Sequence, residues 1–297
     1  MSREGRASGK LAAMTIGDVM AKSAKQESLA AIPGALVLVG AGKMGGAMLD
    51  GWLARKLPPK KIIVLEPQPS KAIKALAKRG VRINHRGDVG DVAALVIAVK
   101  PQTAPDALPL LAALIDAKTV VVSIMAGRTI GFLEKHLPNA AVVRAMPNTP
   151  AAIGRGITVA VGNRRVTSKA RKLAHGLLAA TGSVEWVDDE ALMDAVTAVS
   201  GSGPAYVFLL AEAMAQAGTA AGLPAALAEK LARETVAGSG ELLHRSTEPA
   251  GTLRQNVTSP GGTTAAALEV LMGNDGVGPL MTEAVAAATK RGKDLAG

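Results

Sequence analysis

Residues 35–45 read Ala-Leu-Val-Leu-Val-Gly-Ala-Gly-Lys-Met-Gly, and the next dozen, GAMLDGWLARKL, carry apolar residues at helical spacing. The first five are apolar without alternation, as in a strand covered on both faces. Gly40, Gly42 and Gly45 then stand in G-x-G-x-x-G spacing. Glycine at 40 permits a tight turn, glycine at 42 lets backbone amides approach a pyrophosphate, and glycine at 45 lets helix and strand pack closely. Strand, turn and helix in this order predict a dinucleotide-binding opening, with Gly40, Gly42, Lys43, Met44 and Gly45 at the phosphates. The plain alternative is a glycine-rich turn without a ligand.

The same grammar continues downstream. Short β-branched runs at 61–66, 94–99, 119–124, 140–146, 156–162 and 183–187 alternate with Ala/Leu/Lys stretches of helical length. This predicts an α/β fold with a doubly wound, Rossmann-like parallel sheet over residues 35–187. After Asp188 the β-branched runs stop and Ala-rich helical segments follow, so residues 188–297 read as an all-α domain. Residues 1–34 read as a poorly ordered extension, with a short helix at Ile16 to Lys25 as the alternative.

Composition narrows the function classes. With 48% hydrophobic and 20% charged residues the chain is globular, and the absence of cysteine excludes thiolate nucleophiles, disulfides and cysteine metal sites. A reducing, cytoplasmic location follows as the expectation. The net charge of +10 is spread along the chain, and the five aromatic residues are scattered, so the stacking platform of a nucleic-acid binder is missing. The longest uncharged run, Ala195 to Ala211, is broken at Gly201 to Pro204. It falls short of the ~20 apolar residues of a membrane span. The first 30 residues lack the apolar core of a secretory signal. Nucleic acid, membrane and export are therefore not expected.

Four further segments carry candidate chemistry. Glu66 ends the second strand run, where a carboxylate accepts from the adenosine ribose and repels a 2′-phosphate. The next residues, Pro67-Gln68-Pro69-Ser70-Lys71, offer a hydroxyl, an amide and a cation to that same phosphate, so NADH and NADPH both stay open, with Glu66 tilting toward NADH. An ordinary surface glutamate is the bland alternative. Val99-Lys100-Pro101 and Met125-Ala126 end two later strands, where a cofactor crosses a parallel sheet. Lys100 either neutralises a phosphate or caps the sheet. Met146-Pro-Asn148-Thr-Pro150 is forced extended and reads as a site wall carrying Asn148.

Near the C-terminus, Asn256-Val-Thr-Ser259-Pro-Gly-Gly262-Thr263-Thr264 feeds a helical run. Free amides, hydroxyls and the positive end of a helix dipole in one small volume suit a carboxylate, each charge-assisted bond contributing about 1.5–3 kcal/mol. The alternative is a Thr-capped helix after a flexible loop. The four histidines fall outside every motif, and no metal site is expected. From Ala191 to Ala221 apolar residues cover more of the helix circumference than one buried face needs. Either an intersubunit bundle or a core within the chain would cover them.

Taken in order, the glycine turn, Val99-Lys-Pro-Gln102, Met146-Pro-Asn-Thr-Pro150, Ser200-Gly-Ser-Gly-Pro-Ala-Tyr206 and Val257-Thr-Ser-Pro-Gly-Gly-Thr-Thr264 resemble the pyrroline-5-carboxylate reductases over about Ala35 to Ala288. The resemblance implies NADPH- or NADH-dependent reduction of L-1-pyrroline-5-carboxylate to L-proline, the last step of proline biosynthesis. It also implies an all-α domain that binds substrate and forms a homodimer, possible further assembly of dimers into a ring, and Glu190, Asn256, Ser259, Gly262, Thr263 and Thr264 as substrate contacts. Thr264 is the expected catalytic residue, hydrogen-bonded to the ring nitrogen. One departure is Pro249, which stands four residues before Leu253 where the family usually has three. Two rivals are a β-hydroxyacid dehydrogenase, which would want a catalytic lysine on a glycine-flanked helix where Lys230 has no such setting, and a non-catalytic basic protein sensing dinucleotides.

Overall fold

The computed structural model describes residues 29–296. One eight-stranded sheet runs in the order β3-β2-β1-β4-β5-β6-β7-β8. Its strands are β1 Ala35–Val39, β2 Ile62–Leu65, β3 Arg82–Ile83, β4 Val92–Ile97, β5 Val120–Ser123, β6 Ala141–Met146, β7 Gly156–Gly162 and β8 Gly182–Trp186. Every β-branched run expected from sequence is a strand, and the reversal of order between β1 and β4 is the switch point at which such sheets bind ligands.

Two details differ from the expectation. The short β3 was not foreseen, because Val81-Arg-Ile83 is too brief to show a period. The pair β6–β7 is antiparallel, whereas β7–β8 is parallel again. Only the loop at 147–155 joins β6 to β7, with no crossover helix, and a parallel pair requires one.

The core is two layers. On β1, Leu36 and Leu38 enter one layer with Trp52 and Leu177, while Val37 and Val39 enter the other with Leu108 and Leu133. Helices α1 Lys43–Ala54 and α5 Ser168–Leu178 supply the first layer; α2 Lys71–Ala75 lies on the same side. Helices α3 Ala104–Leu111 and α4 Ile130–His136 cover the second. Trp52 is wholly buried yet satisfied, its indole N–H donating to Leu177 O at 2.8 Å.

Residues 29–34, read from sequence as part of a poorly ordered extension, are folded onto the sheet domain. Leu29 and Ile32 are buried on the first layer, and the Leu29 N–H donates to Arg55 O at 3.2 Å. These two apolar side chains have a sheet flank to cover and are folded onto it. The alternative helix at Ile16 to Lys25 lies outside the described residues.

Beyond β8 the described chain is helical: α6 Met193–Val196, a π-helical turn at Thr197–Gly201, α7 Gly203–Ala220, α8 Ala225–Arg245, α9 Ala250–Asn256, α10 Thr263–Leu271 and α11 Val277–Ala296. Helices α7 and α8 form a hairpin, tied to the sheet by Arg155, which pairs with Glu241 at 3.2 Å and reaches His244. The hydrogen bond from Arg245, and then the charge of Arg155, hold the Glu241 carboxyl below its ordinary value. A lowered carboxyl keeps its pair above the unfolded value and loses it as pH falls through the folded one, so this tie is complete at neutral pH. Helix α7 buries none of its residues: Phe208 is 68% and Leu209 63% exposed.

Candidate active site

The glycine turn has the geometry its spacing predicts. Gly40 has φ +89°, and a Cβ there would sit 2.7 Å from Ala98 O. A Cβ at Gly45 would collide with Gly40 O, whereas Gly42 has nothing within 4 Å. Two of the glycines are thus demanded by packing, and the third leaves a cradle open. Gly42 is also the N-cap of α1 without any side-chain cap, so amides of the first turn stay free for an anion. An open cradle before a twelve-residue helix fits a dinucleotide pyrophosphate. Lys43 and Met44 begin that helix and remain partly or fully exposed. Replacing Gly45 by Ala is expected to cost about 1–3 kcal/mol and to abolish dinucleotide binding, as read by thermal melting and fluorescence titration.

Glu66 lies at the end of β2, half-buried, and its carboxylate closes the turn. The Ala41 N–H donates to Oε2 at 2.8 Å and the Gln68 N–H to Oε1 at 3.0 Å. Asn84, with φ +49°, brackets the Glu66 backbone: Oδ1 accepts from the Glu66 N–H and Nδ2 donates to Glu66 O, both at 2.9 Å. Nothing in the sequence reading pointed to Asn84, although an Asn directly after an edge strand is a usual left-handed position.

Val99, Lys100 and Pro101 leave β4 beside Met125 and Ala126 leaving β5. Lys100 is exposed, and so is Ala126, whereas the Met125 side chain turns inward and is buried against Val37 and Leu133's layer. Met125 therefore presents its backbone rather than its thioether to the edge of the sheet. Arg128, absent from the sequence candidates, joins the two loops. Its Nε and Nη2 donate to Pro101 O at 3.0 and 2.8 Å, and its guanidinium stacks on Phe132, 4.6 Å from the ring centroid. The end of α11 rests on the same loop, with Leu295 O 3.6 Å from a Cβ placed on Gly127.

Asn148 is half-buried, and its Oδ1 accepts from the Ile157 N–H at 3.0 Å, which pins the Pro-Asn-Thr-Pro wall to β7. The Ser-Gly-Ser-Gly motif packs on that wall, where Gly201 lies against the Met146 methyl and a Cβ would make that flexible side chain shift. The π-helical turn holds the motif there, with Tyr206 OH donating to Ala198 O at 3.1 Å. Such turns frequently mark functional sites.

Glu190 joins the helical half to the sheet. Its Oε1 accepts from the Ile130 N–H at 2.8 Å and from Arg144 Nη1 at 2.7 Å. Arg144 is 5% exposed, a lone cation in the apolar β6. That isolation was the available signal for a buried ion pair.

The C-terminal loop is preformed. Gly261 has φ +68°, the Gly262 N–H donates to Ser259 O at 3.1 Å, and Gly262 caps α10 with no side-chain bond. The hydroxyls of Ser259, Thr263 and Thr264 make no hydrogen bond to the described residues. Thr258 Oγ1 donates to Arg254 O at 2.7 Å and Asn256 Nδ2 to Glu248 Oε2 at 3.2 Å, so apart from the ladder of α10 itself the hydrogen bonds of residues 256–264 to described residues stay within 248–266. The single chain brings together the glycine turn, Glu66 and the β4 and β5 loops, and separately ties Glu190 to the sheet. No hydrogen bond carries loop 256–264 to that group.

Comparison with known proteins places this geometry. A family profile described as pyrroline-5-carboxylate reductase dimerisation matches residues 190–295, and one described as NADP oxidoreductase, coenzyme F420-dependent, matches 35–127. A pyrroline-5-carboxylate reductase of Synechocystis is 41% identical over 265 residues, 88% of this chain and 97% of its own. One of Pseudomonas aeruginosa is 37% identical, covering 88% of this chain and 96% of its own. The solved pyrroline-5-carboxylate reductase of Coxiella burnetii superposes with TM-score 0.82 at 33% identity, over 89% of this chain and 99% of its own. That of Plasmodium falciparum, solved with NADP bound, gives 0.74 at 29%, over 90% and 99%.

Proposed function

The chain belongs to the pyrroline-5-carboxylate reductase family, and from that premise we propose that it reduces the C=N bond of L-1-pyrroline-5-carboxylate with NADH or NADPH, giving L-proline. The observation that carries the reading is the pairing, in one chain, of two uncapped helix starts: Gly42 before α1 and Gly262 before α10. The first suits a pyrophosphate and the second a small carboxylate. A homo-oligomer is part of the reading, supported by the dimerisation profile and by the exposed apolar face of α7.

In this proposal Gly40, Gly42, Lys43, Met44 and Gly45 seat the pyrophosphate and Glu66 the adenosine ribose. Val99, Lys100, Pro101, Met125, Ala126 and Asn148 line the path to the nicotinamide, Met125 through its backbone. When bound, the reduced nicotinamide supplies the hydride. A protonated ring imine accepts it readily, so the chain needs neither nucleophile nor metal and works mainly by orientation, which provides up to roughly 7–11 kcal/mol in well-aligned reactions. The Thr263 amide holds the substrate carboxylate on the turn that Gly262 shapes by donating its own N–H to Ser259 O, with Asn256 and Ser259 beside it, and the Thr264 hydroxyl oxygen accepts from the protonated ring N–H. Glu190 keeps its proposed substrate role through the carboxylate oxygen that Arg144 and Ile130 leave free. The division at 187/188 into a dinucleotide half and a substrate half, and a cytoplasmic location, complete the reading; among the described residues no helix is long and apolar enough to cross a membrane.

Oxidation of cofactor at 340 nm with pyrroline-5-carboxylate, run with each nicotinamide, tests the activity, and no oxidation with either would overturn it. Thr264→Ala is expected to lower kcat/KM by about 10- to 100-fold, roughly 1.4–2.7 kcal/mol, with cofactor affinity unchanged. An unchanged kcat/KM would remove Thr264 from the chemistry.

A further inference from the structure

We propose that this chain selects NADH over NADPH, and that the selecting element is a carboxylate, Glu66, locked in place by four hydrogen bonds. The inference rests on the dinucleotide reading above and adds the choice of cofactor to it. Glu66 sits at the end of β2, next to the switch point of the sheet, and its carboxylate bonds across to Ala41, between the two glycines of the cradle. A ribose placed with its pyrophosphate on that cradle brings its 2′ position to the carboxylate. A 2′-hydroxyl donates to it; a 2′-phosphate, with about −1.5 to −2 charges, meets a like charge.

A carboxylate on a mobile stem would swing aside for the phosphate. Glu66 is prevented from doing so, because both oxygens are engaged by backbone N–H groups, from Ala41 at 2.8 Å and Gln68 at 3.0 Å. Asn84 fixes the backbone beneath it through two bonds of 2.9 Å. Each carboxylate oxygen accepts more than one hydrogen bond, so the acceptors needed by a ribose remain. Displacing the carboxylate would leave the Ala41 amide unpaired at the turn that seats the pyrophosphate, so discrimination and phosphate binding are mechanically joined.

The features that would favour the phosphate are weaker here than their sequence suggested. Ser70 Oγ accepts from the Ile73 N–H at 3.2 Å as the cap of α2, which fixes the oxygen at the start of its own helix and leaves a single neutral O–H to offer a phosphate. Lys71 follows, exposed at the first position of that helix. A solvated ammonium on a flexible stem is screened and mobile, and it does not offset a carboxylate held rigid at the ribose.

Calorimetric or fluorescence titration of the whole protein with NADH and NADPH, without substrate, tests this apart from catalysis. The wild type is expected to bind NADH at least about 10-fold tighter. Glu66→Gln keeps the shape and one acceptor while removing the charge, and should narrow that ratio several-fold, mainly through tighter NADPH. Asn84→Ala, which frees the backbone under an intact Glu66, should narrow it less. Equal or tighter binding of NADPH by the wild type, or no binding of either cofactor, would overturn the proposal, as would an unchanged ratio in a Glu66→Gln protein with native circular dichroism. A strong NADH preference in a protein inert toward pyrroline-5-carboxylate would leave the cofactor assignment standing and sink the substrate reading instead.

Discussion

The double substitution Phe208→Asp, Leu209→Asp is expected to yield a folded monomer whose turnover is at least about 100-fold below that of the wild type, some 2.7 kcal/mol. Both side chains are more than 60% exposed in the single chain, on a helix that buries none of its residues. They belong to a larger uncovered apolar surface around the hairpin, with Val207, Leu210, Leu242 and Leu243 also exposed. A single chain leaves that face against water, and the matching dimerisation profile spans it. In a two-fold assembly each substitution is felt twice, and unpaired carboxylates in an apolar seam cost several kcal/mol each. The sheet domain has its own two-layer core, so its melting should persist. Activity falls because loop 256–264, between α9 and α10, belongs to the same helical half and finds no hydrogen-bonded neighbour in its own dinucleotide half. Sedimentation at micromolar concentration, with the 340 nm assay, reads both effects. A dimer that survives would place the seam elsewhere.

Glu190→Ala is expected to lower stability by about 3 kcal/mol, or roughly 6–12 °C in melting temperature. The substitution strands Arg144, whose side chain is 6% exposed, and leaves the Ile130 amide at the start of α4 without its acceptor. The charge of an arginine does not titrate away, so no adjustment relieves it. Glu190→Gln keeps the one oxygen that accepts from both donors, removes only its charge, and should lose less. If Glu190 also meets substrate, Glu190→Gln will raise KM beyond what its small stability loss explains. Equal stability of the Ala variant and wild type would mean that the pair is solvent-screened. Scanning calorimetry with steady-state kinetics separates the cases.

The fold was legible where chemistry repeats. Apolar strands such as Val120–Ser123 and the glycine spacing at 40, 42 and 45 each constrain the backbone locally, so a short window suffices to read them. The antiparallel β7 was not legible, since strand direction depends on what joins two runs rather than on either run. Gly40 and Gly45 have the backbone geometry that their spacing predicts, because that geometry is local. Side-chain partners are set by the fold: neither Arg128 reaching Pro101, nor Glu190 joining Arg144 to Ile130, nor Asn84 bracketing Glu66 lies within a window of twenty residues except the last. The same holds for Met125, whose inward rotation no local pattern records.

The wide turn at 197–201 has a consequence for how the chain tolerates length changes. A π-type turn holds one residue more than the α-helix around it. Deleting a single residue there would restore a regular helix and leave the following helix at nearly its present phase, because the turn has already absorbed the extra residue. What would vanish is the bulge itself, the place where Gly201 meets the Met146 side chain beside the Pro-Asn-Thr-Pro wall. A one-codon deletion in this stretch would therefore spare the greasy flank that two copies share and strike the junction between the helical half and the sheet.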